Sequence, residues 1–187
     1  MNDLAKNALL SADHAEVDQL LAEALASLRL GDCRSAFEML DLFWARLAMH
    51  IRAEHLHLFP AVLSTIRSGK AEDREGCPSV RSVTAVIGQL RTDHDYFMKE
   101  LAHSIKEMRG LIANENADPL RELGTVANSL EDLSARLRAH NEIEENEIYP
   151  LAEIIFEPAQ IKTLDSQIKS ELENLPPRFI GRANAGV

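Results

Sequence analysis

Apolar residues recur at three- and four-residue steps over five stretches of the chain, separated by polar breaks, which is the pattern of amphipathic helices. The first helix is expected from Ser11 or a few residues earlier to about Leu30, with Leu10, Val17, Leu21, Leu25 and Leu28 on one face and His14 in the same stripe. Gly31 and Asp32 supply its stop. A second helix starts between Cys33 and Ser35, carries Leu40, Phe43 and Leu47, and runs to about Ile66. Pro60 is expected to kink it and not to end it, because AVLSTI resumes the apolar pattern. The polar segment SGKAEDREGCPS is the longest loop expected.

The third helix is expected from about Val80 to Leu111, with Leu90, His94, Phe97 and Leu101 on its stripe, and the fourth from about Leu120 to Phe156 after NENADP. A shorter fifth helix follows Pro158, is stopped by Pro176 and Pro177, and leaves RFIGRANAGV as a loosely held tail. The first and third helices match position by position at an offset of 80, and the second and fourth at an offset of 90, so the chain reads as two copies of a helix pair. The resulting fold class is all-α, an up-down-up-down four-helix bundle over residues 1–156, with a C-terminal helix and tail over 157–187 packed on or beside it. That last helix either caps the bundle or joins a homodimer.

Composition narrows the classes of function. The 187 residues suffice for one domain with a core, and 45% hydrophobic residues with few Gly or Pro suit a helical protein. A formal net charge of -10 argues against nucleic acid and against an anionic membrane surface as partners. No apolar run approaches the ~20 residues of a membrane span, and MNDLAKNALLSADH lacks the blocks of a signal peptide, so the cytoplasm is the expected compartment. Cys33 and Cys77 have no metal-binding spacing and fall in successive loops; they are expected to stay reduced and unbonded.

The candidate chemistry lies in two matched segments, HIRAEHLHLFP from His50 to Pro60 and HNEIEENEIYP from His140 to Pro150. Each histidine has a glutamate four residues later, His50 with Glu54 and His140 with Glu144, so the two side chains stack on one helical face. That face is otherwise apolar, and a carboxylate facing a core is costly unless something pairs with it. In antiparallel neighbours joined by a short loop, residues equally far from the loop lie at the same height. The midpoints of His14 and His50, of His50 and His94, and of His94 and His140 are positions 32, 72 and 117, all in expected loops. The four histidines therefore reach one level of the bundle, with Glu54 and Glu144 a turn away.

Imidazoles and carboxylates in a helical bundle suit a pair of first-row transition ions, iron first, although zinc or manganese would accept the same set. Two octahedral ions offer roughly twelve positions. Four histidines, two bridging glutamates and a shared oxo or hydroxo bridge leave one or two open for a small ligand such as dioxygen or nitric oxide.

The order His14, His50-x-x-x-Glu54, His94, His140-x-x-x-Glu144, with the FP and YP that follow, resembles the hemerythrin-like HHE cation-binding domain over roughly residues 8–156. The resemblance implies a non-haem di-iron centre held by these six residues. It departs from the oxygen carriers of that family, which are similar but place a second histidine where this chain has Met98 and a His-x-x-x-x-Asp pair on the fourth helix. Fewer histidines imply more open coordination, which favours sensing or reaction over carriage. The functional expectation is a protein that binds or senses dioxygen or nitric oxide in oxidative or nitrosative stress. The alternatives are a di-iron oxidase, peroxidase or nitric oxide reductase, iron-sulfur centre repair, and a plain structural bundle.

Other polar residues carry blander expectations. Asp13 and Asp93 could orient an imidazole but are read as solvated helix-surface acids. His57 is read as a boundary side chain, and His55 as an exposed one whose replacement by alanine leaves metal in place. Tyr149 and Tyr96 lie off the ligand stripe by helical rotation.

Overall fold

A computed structural model describes residues 8–69, 76–113 and 119–179. They form an all-helical fold, a four-helix bundle with an added C-terminal helix. The first rod is α1 (Ala8–Arg29) and the third is α4 (Val80–Ala113). The second rod runs from α2 (Cys33–Ala53) through a π-helical turn (Glu54–Leu58) into α3 (Phe59–Arg67). The fourth repeats that plan, with α5 (Pro119–Ile143), a π-helical turn (Glu144–Ile148) and α6 (Tyr149–Ile155). The added helix is α7 (Pro158–Leu172). Within the described residues every expected helix is present with its ends displaced by a few residues at most. Half of the expected loop over 68–79, and most of the 114–119 turn and of the tail from 178, lies outside them.

Local chemistry explains the tight turn between α1 and α2. Gly31 takes a positive φ of 75°, and the N–H groups of Gly31 and Asp32 return to the carbonyls of Leu28 and Ser27, which closes α1 as a Schellman motif. Asp32 then caps α2, accepting from the Ser35 N–H at 3.0 Å and from the Ser35 hydroxyl at 2.7 Å. The Ser35 contacts hold the Asp32 carboxyl below its usual range.

The kink expected at Pro60 takes the form of a π-turn, and a second π-turn precedes Pro150. A proline ring crowds the carbonyl four residues before it, here that of Leu56 or Asn146, and brings no N–H. Both helices widen by one residue: the N–H of Phe59 bonds the carbonyl of Glu54, and that of Tyr149 the carbonyl of Glu144. Every residue beyond the turn is thereby rotated relative to an unbroken α-helix.

Packing divides the chain into two compact units, Met1–His14 with Met49–His94 and His140–Asn174, and Ala15–Ala48 with Asp95–Ala139 and Leu175–Val187. The first holds a continuous core from Leu10, Leu58, Phe59, Val62, Ile87, Leu90, Ile148, Tyr149, Leu151 and Ile155, to which α7 adds Leu164 and Ile168. The second buries Val17, Leu21, Leu40, Phe43, Phe97, Leu101, Met108, Leu130 and Leu133, and Phe179 packs with Leu42 and Ala45. Both cysteines are free thiols. Among the described residues no helix is long and apolar enough to cross a membrane.

Candidate metal centre

All six side chains singled out by spacing lie in the first unit and point inward. His14 comes from α1, His50 from α2, His94 from α4 and His140 from α5, none more than 6% exposed, while Glu54 and Glu144 open the two π-turns at 0%. Neighbouring rods are tied in a ring by polar contacts: His14 to His50, His55 to His94, His94 to His140, and Glu145 back to His14.

The inward atoms form two clusters. In one, His14 Nε2 lies 3.2 Å from His50 Nε2 and 3.3 Å from Glu144 Oε2, and His50 Nε2 lies 3.6 Å from Glu54 Oε1. In the other, His94 Nε2 lies 2.9 Å from His140 Nε2 and 3.3 Å from Glu54 Oε2, and His140 Nε2 lies 3.0 Å from Glu144 Oε1. Each glutamate thus aims one oxygen at each histidine pair. That is the geometry of two carboxylates bridging two ions.

Behind the imidazoles stands a further ring of residues, and here the structure corrects two expectations. Asp13 and Asp93 are buried, not solvated, at 3% and 5% exposure. Asp13 Oδ2 is 3.0 Å from His50 Nδ1, and Asp93 Oδ2 is 3.6 Å from His140 Nδ1, so each acid supports the histidine of the neighbouring rod and not the one beside it in sequence. His55 is half-buried, not exposed, with its Nε2 2.9 Å from His94 Nδ1. Glu145 Oε1 accepts from His14 Nδ1 at 2.9 Å. His57 does stay at the boundary, facing Glu171 at 3.4 Å.

Tyr149 is the residue that helical rotation misplaced. Five residues past Glu144, it falls well off the stripe in an α-helix, but the π-turn brings it back to the same face. Its hydroxyl, in a side chain 1% exposed, donates to Glu54 Oε1 at 3.0 Å and lies 3.2 Å from His14 Nε2 and 3.4 Å from Glu144 Oε2. The corresponding Phe59, moved by the first π-turn, is wholly buried and stacks on His94 with centroids 6.1 Å apart. The matched FP and YP dipeptides were the available signal.

Burial and charge strongly perturb these groups. Burial drives the His94 imidazole down to about 2, so it stays neutral. Burial also pulls on His50, but the Glu54 and Asp13 carboxylates outweigh it and hold the ring well above its ordinary range. Burial and the neighbouring Glu144 charge raise Glu54, whereas Glu144, despite its burial, is held well below the usual carboxylate range by His14 and His140. Burial and both carboxylates keep the Tyr149 phenol protonated far past its usual value.

The donor set fits a pair of cations on three counts. Asp13 and Glu145 accept the Nδ1 protons of His50 and His14, which leaves the two Nε2 lone pairs facing each other at 3.2 Å unless a proton or cation lies between. An ion holding nitrogen or oxygen at ~2.1 Å sets adjacent donors ~3 Å apart, the spacing found in both clusters. Buried Glu54 Oε2 has no hydrogen-bond donor among the described residues. Two groups, Glu54 with His94, His140 and Glu144, and His14 with His50 and Glu144, could each hold a metal ion.

The family model described as the hemerythrin HHE cation binding domain matches residues 6–152. No curated protein and no solved structure matches the chain.

Proposed function

Because the chain belongs to the hemerythrin HHE cation-binding family, we propose that it holds two iron ions through His14, His50, Glu54, His94, His140 and Glu144, and that it binds or senses dioxygen or nitric oxide in oxidative or nitrosative stress. The observation that carries this reading is the shared reach of the two carboxylates, each with one oxygen 3.0–3.6 Å from a nitrogen of either histidine pair. When bound, iron supplies one-electron redox chemistry and open coordination positions for a diatomic ligand.

The chain's own residues have separate roles. Asp13 and Glu145 hold the protons of His50 and His14 on Nδ1, which fixes the tautomer with Nε2 free to ligate. For His94 to ligate through Nε2, its proton must likewise sit on Nδ1 and be accepted by His55. Phe59, stacked on His94, belongs to the same buried core as Leu10, Leu58 and Ile148.

A second reading, a di-iron oxidase, peroxidase or nitric oxide reductase, is favoured by Tyr149, whose buried hydroxyl is a hydrogen-bond donor placed beside both carboxylates. Elemental analysis of protein purified without chelator, with anaerobic optical spectra before and after dioxygen and nitric oxide, tests the proposal. Two irons per chain and a spectral change without turnover support a binder or sensor. Consumption of peroxide or nitric oxide by the diferrous protein supports the enzyme. A chain that retains no metal overturns both.

A further inference from the structure

The two halves of the metal centre follow the internal repeat, so any position at which the repeat is broken makes them unequal. At an offset of 90, Glu145 corresponds to His55 and Tyr149 to Phe59. Both pairs sit directly against the centre. Glu145 lies behind His14 at 2.9 Å, whereas its counterpart His55 lies behind His94 at the same distance. The phenol oxygen of Tyr149 lies 3.2 Å from His14 Nε2, whereas the ring of Phe59 stacks on His94.

Resting on the dimetal reading above, we propose that the two cation positions are unequal: the one at His14 and His50 takes a divalent ion first and more tightly, and Glu145 is the positioning residue that makes it so. Glu144 belongs to both donor groups, whereas Glu54 completes a four-donor group with His94 and His140 and reaches the other pair only through His50, at 3.6 Å. The inequality runs against that donor count and is carried by what lies behind the histidines. A carboxylate that accepts an Nδ1–H pushes electron density onto the ligating Nε2 and adds a negative charge near the ion; an imidazole accepting the same proton does the first weakly and the second not at all.

The remaining acids work in the same direction. Asp13 reaches His50 at 3.0 Å, while Asp93 stands 3.6 Å from His140 and is shared with the Gln89 amide, which is 3.2 and 3.3 Å from its two oxygens. Both histidines of the first position are therefore backed by a close carboxylate, and only one of the second is backed by an acid at all among the contacts described. Outer partners of this kind are worth about 10–100-fold in metal affinity. The Glu145 side chain is 44% exposed, which places it toward the lower end of that range and also makes its replacement structurally mild.

The experiment is a zinc titration of the metal-free protein, with stepwise constants from competition with a chromophoric chelator and histidine-ring nitrogen NMR to identify which rings respond. In the native chain the first equivalent should shift the His14 and His50 rings and the second those of His94 and His140. Glu145→Gln should weaken the first step about ten-fold and let the two pairs fill together, while His55→Glu should tighten the second step. Simultaneous filling of both pairs in the native chain, His94 and His140 filling first, or a first step unchanged in Glu145→Gln overturns the inference. Two zinc ions bound in no fixed order overturn it alone; no zinc bound overturns the dimetal reading with it.

Discussion

Replacing Tyr149 by phenylalanine tests the corrected geometry of the fourth rod, because it removes one oxygen and keeps the ring that packs in the core. The side chain is 1% exposed and its hydroxyl donates to Glu54 Oε1 at 3.0 Å. No cavity opens, so the change should report the hydrogen bond. A net hydrogen bond to a charged group contributes about 1.5–3 kcal/mol, and one between neutral groups about 1. Burial and the neighbouring Glu144 charge raise Glu54, so the bond is placed between these two cases and the expected loss is about 2 kcal/mol.

For a chain of this length that loss corresponds to a drop of roughly 4–8 °C in Tm, or to a lower urea midpoint at unchanged slope. The same measurement with saturating zinc should give a smaller loss, since a cation then stabilises the carboxylate that the phenol no longer reaches. A metal-free Tyr149→Phe protein as stable as the native chain would refute the placement of the phenol on the carboxylates. It would return Tyr149 to the off-stripe position that an uninterrupted α-helix gives it.

Three further outcomes are expected. Glu54→Ala, which removes a carboxylate shared by both clusters, should lose at least one ion per chain by elemental analysis, as should His50→Ala; two ions retained in both variants would remove the ligand assignment. His55→Ala should weaken binding about ten-fold in a chelator competition, because His94 loses the group that accepts its Nδ1 proton. Metal uptake at neutral pH should release protons into weakly buffered solution and weaken as pH falls, since Glu54 and Asp13 keep His50 protonated above its ordinary range and a cation must displace that proton; uptake without proton release would contradict the His50 environment described.

The fold was legible because its determinants are local. Three- and four-residue apolar steps, Gly31 with Asp32, and the polar breaks place each helix within a few residues of its observed span. The six inward side chains were legible for the same reason, since a His-x-x-x-Glu pair shares a face at any α-helical twist and loop midpoints set its height. What was missed is what depends on departures from that twist or on the neighbouring rod. Asp13 and Asp93 sit about 100° around the helix from their histidines. That direction leads outward for an isolated helix, but in the structure it leads to His50 and His140 of the next rod.

The two prolines carry the larger lesson. Pro60 was read as a kink and Pro150 only as part of the matched YP dipeptide, yet before each the helix takes in one extra residue in the turn that starts at a glutamate. The insertion brings the residue five positions on, Phe59 or Tyr149, over the same centre as Glu54 or Glu144. Because the insertion is duplicated, it preserves the twofold pattern of carboxylates that bridge both histidine pairs. It also brings to the centre two positions where the copies differ in chemistry, a phenol in one half and a phenyl ring in the other. The repeat that builds a symmetric ligand set is therefore also the means by which single residues, Tyr149 on one rim and Glu145 behind His14, make its two halves chemically distinct.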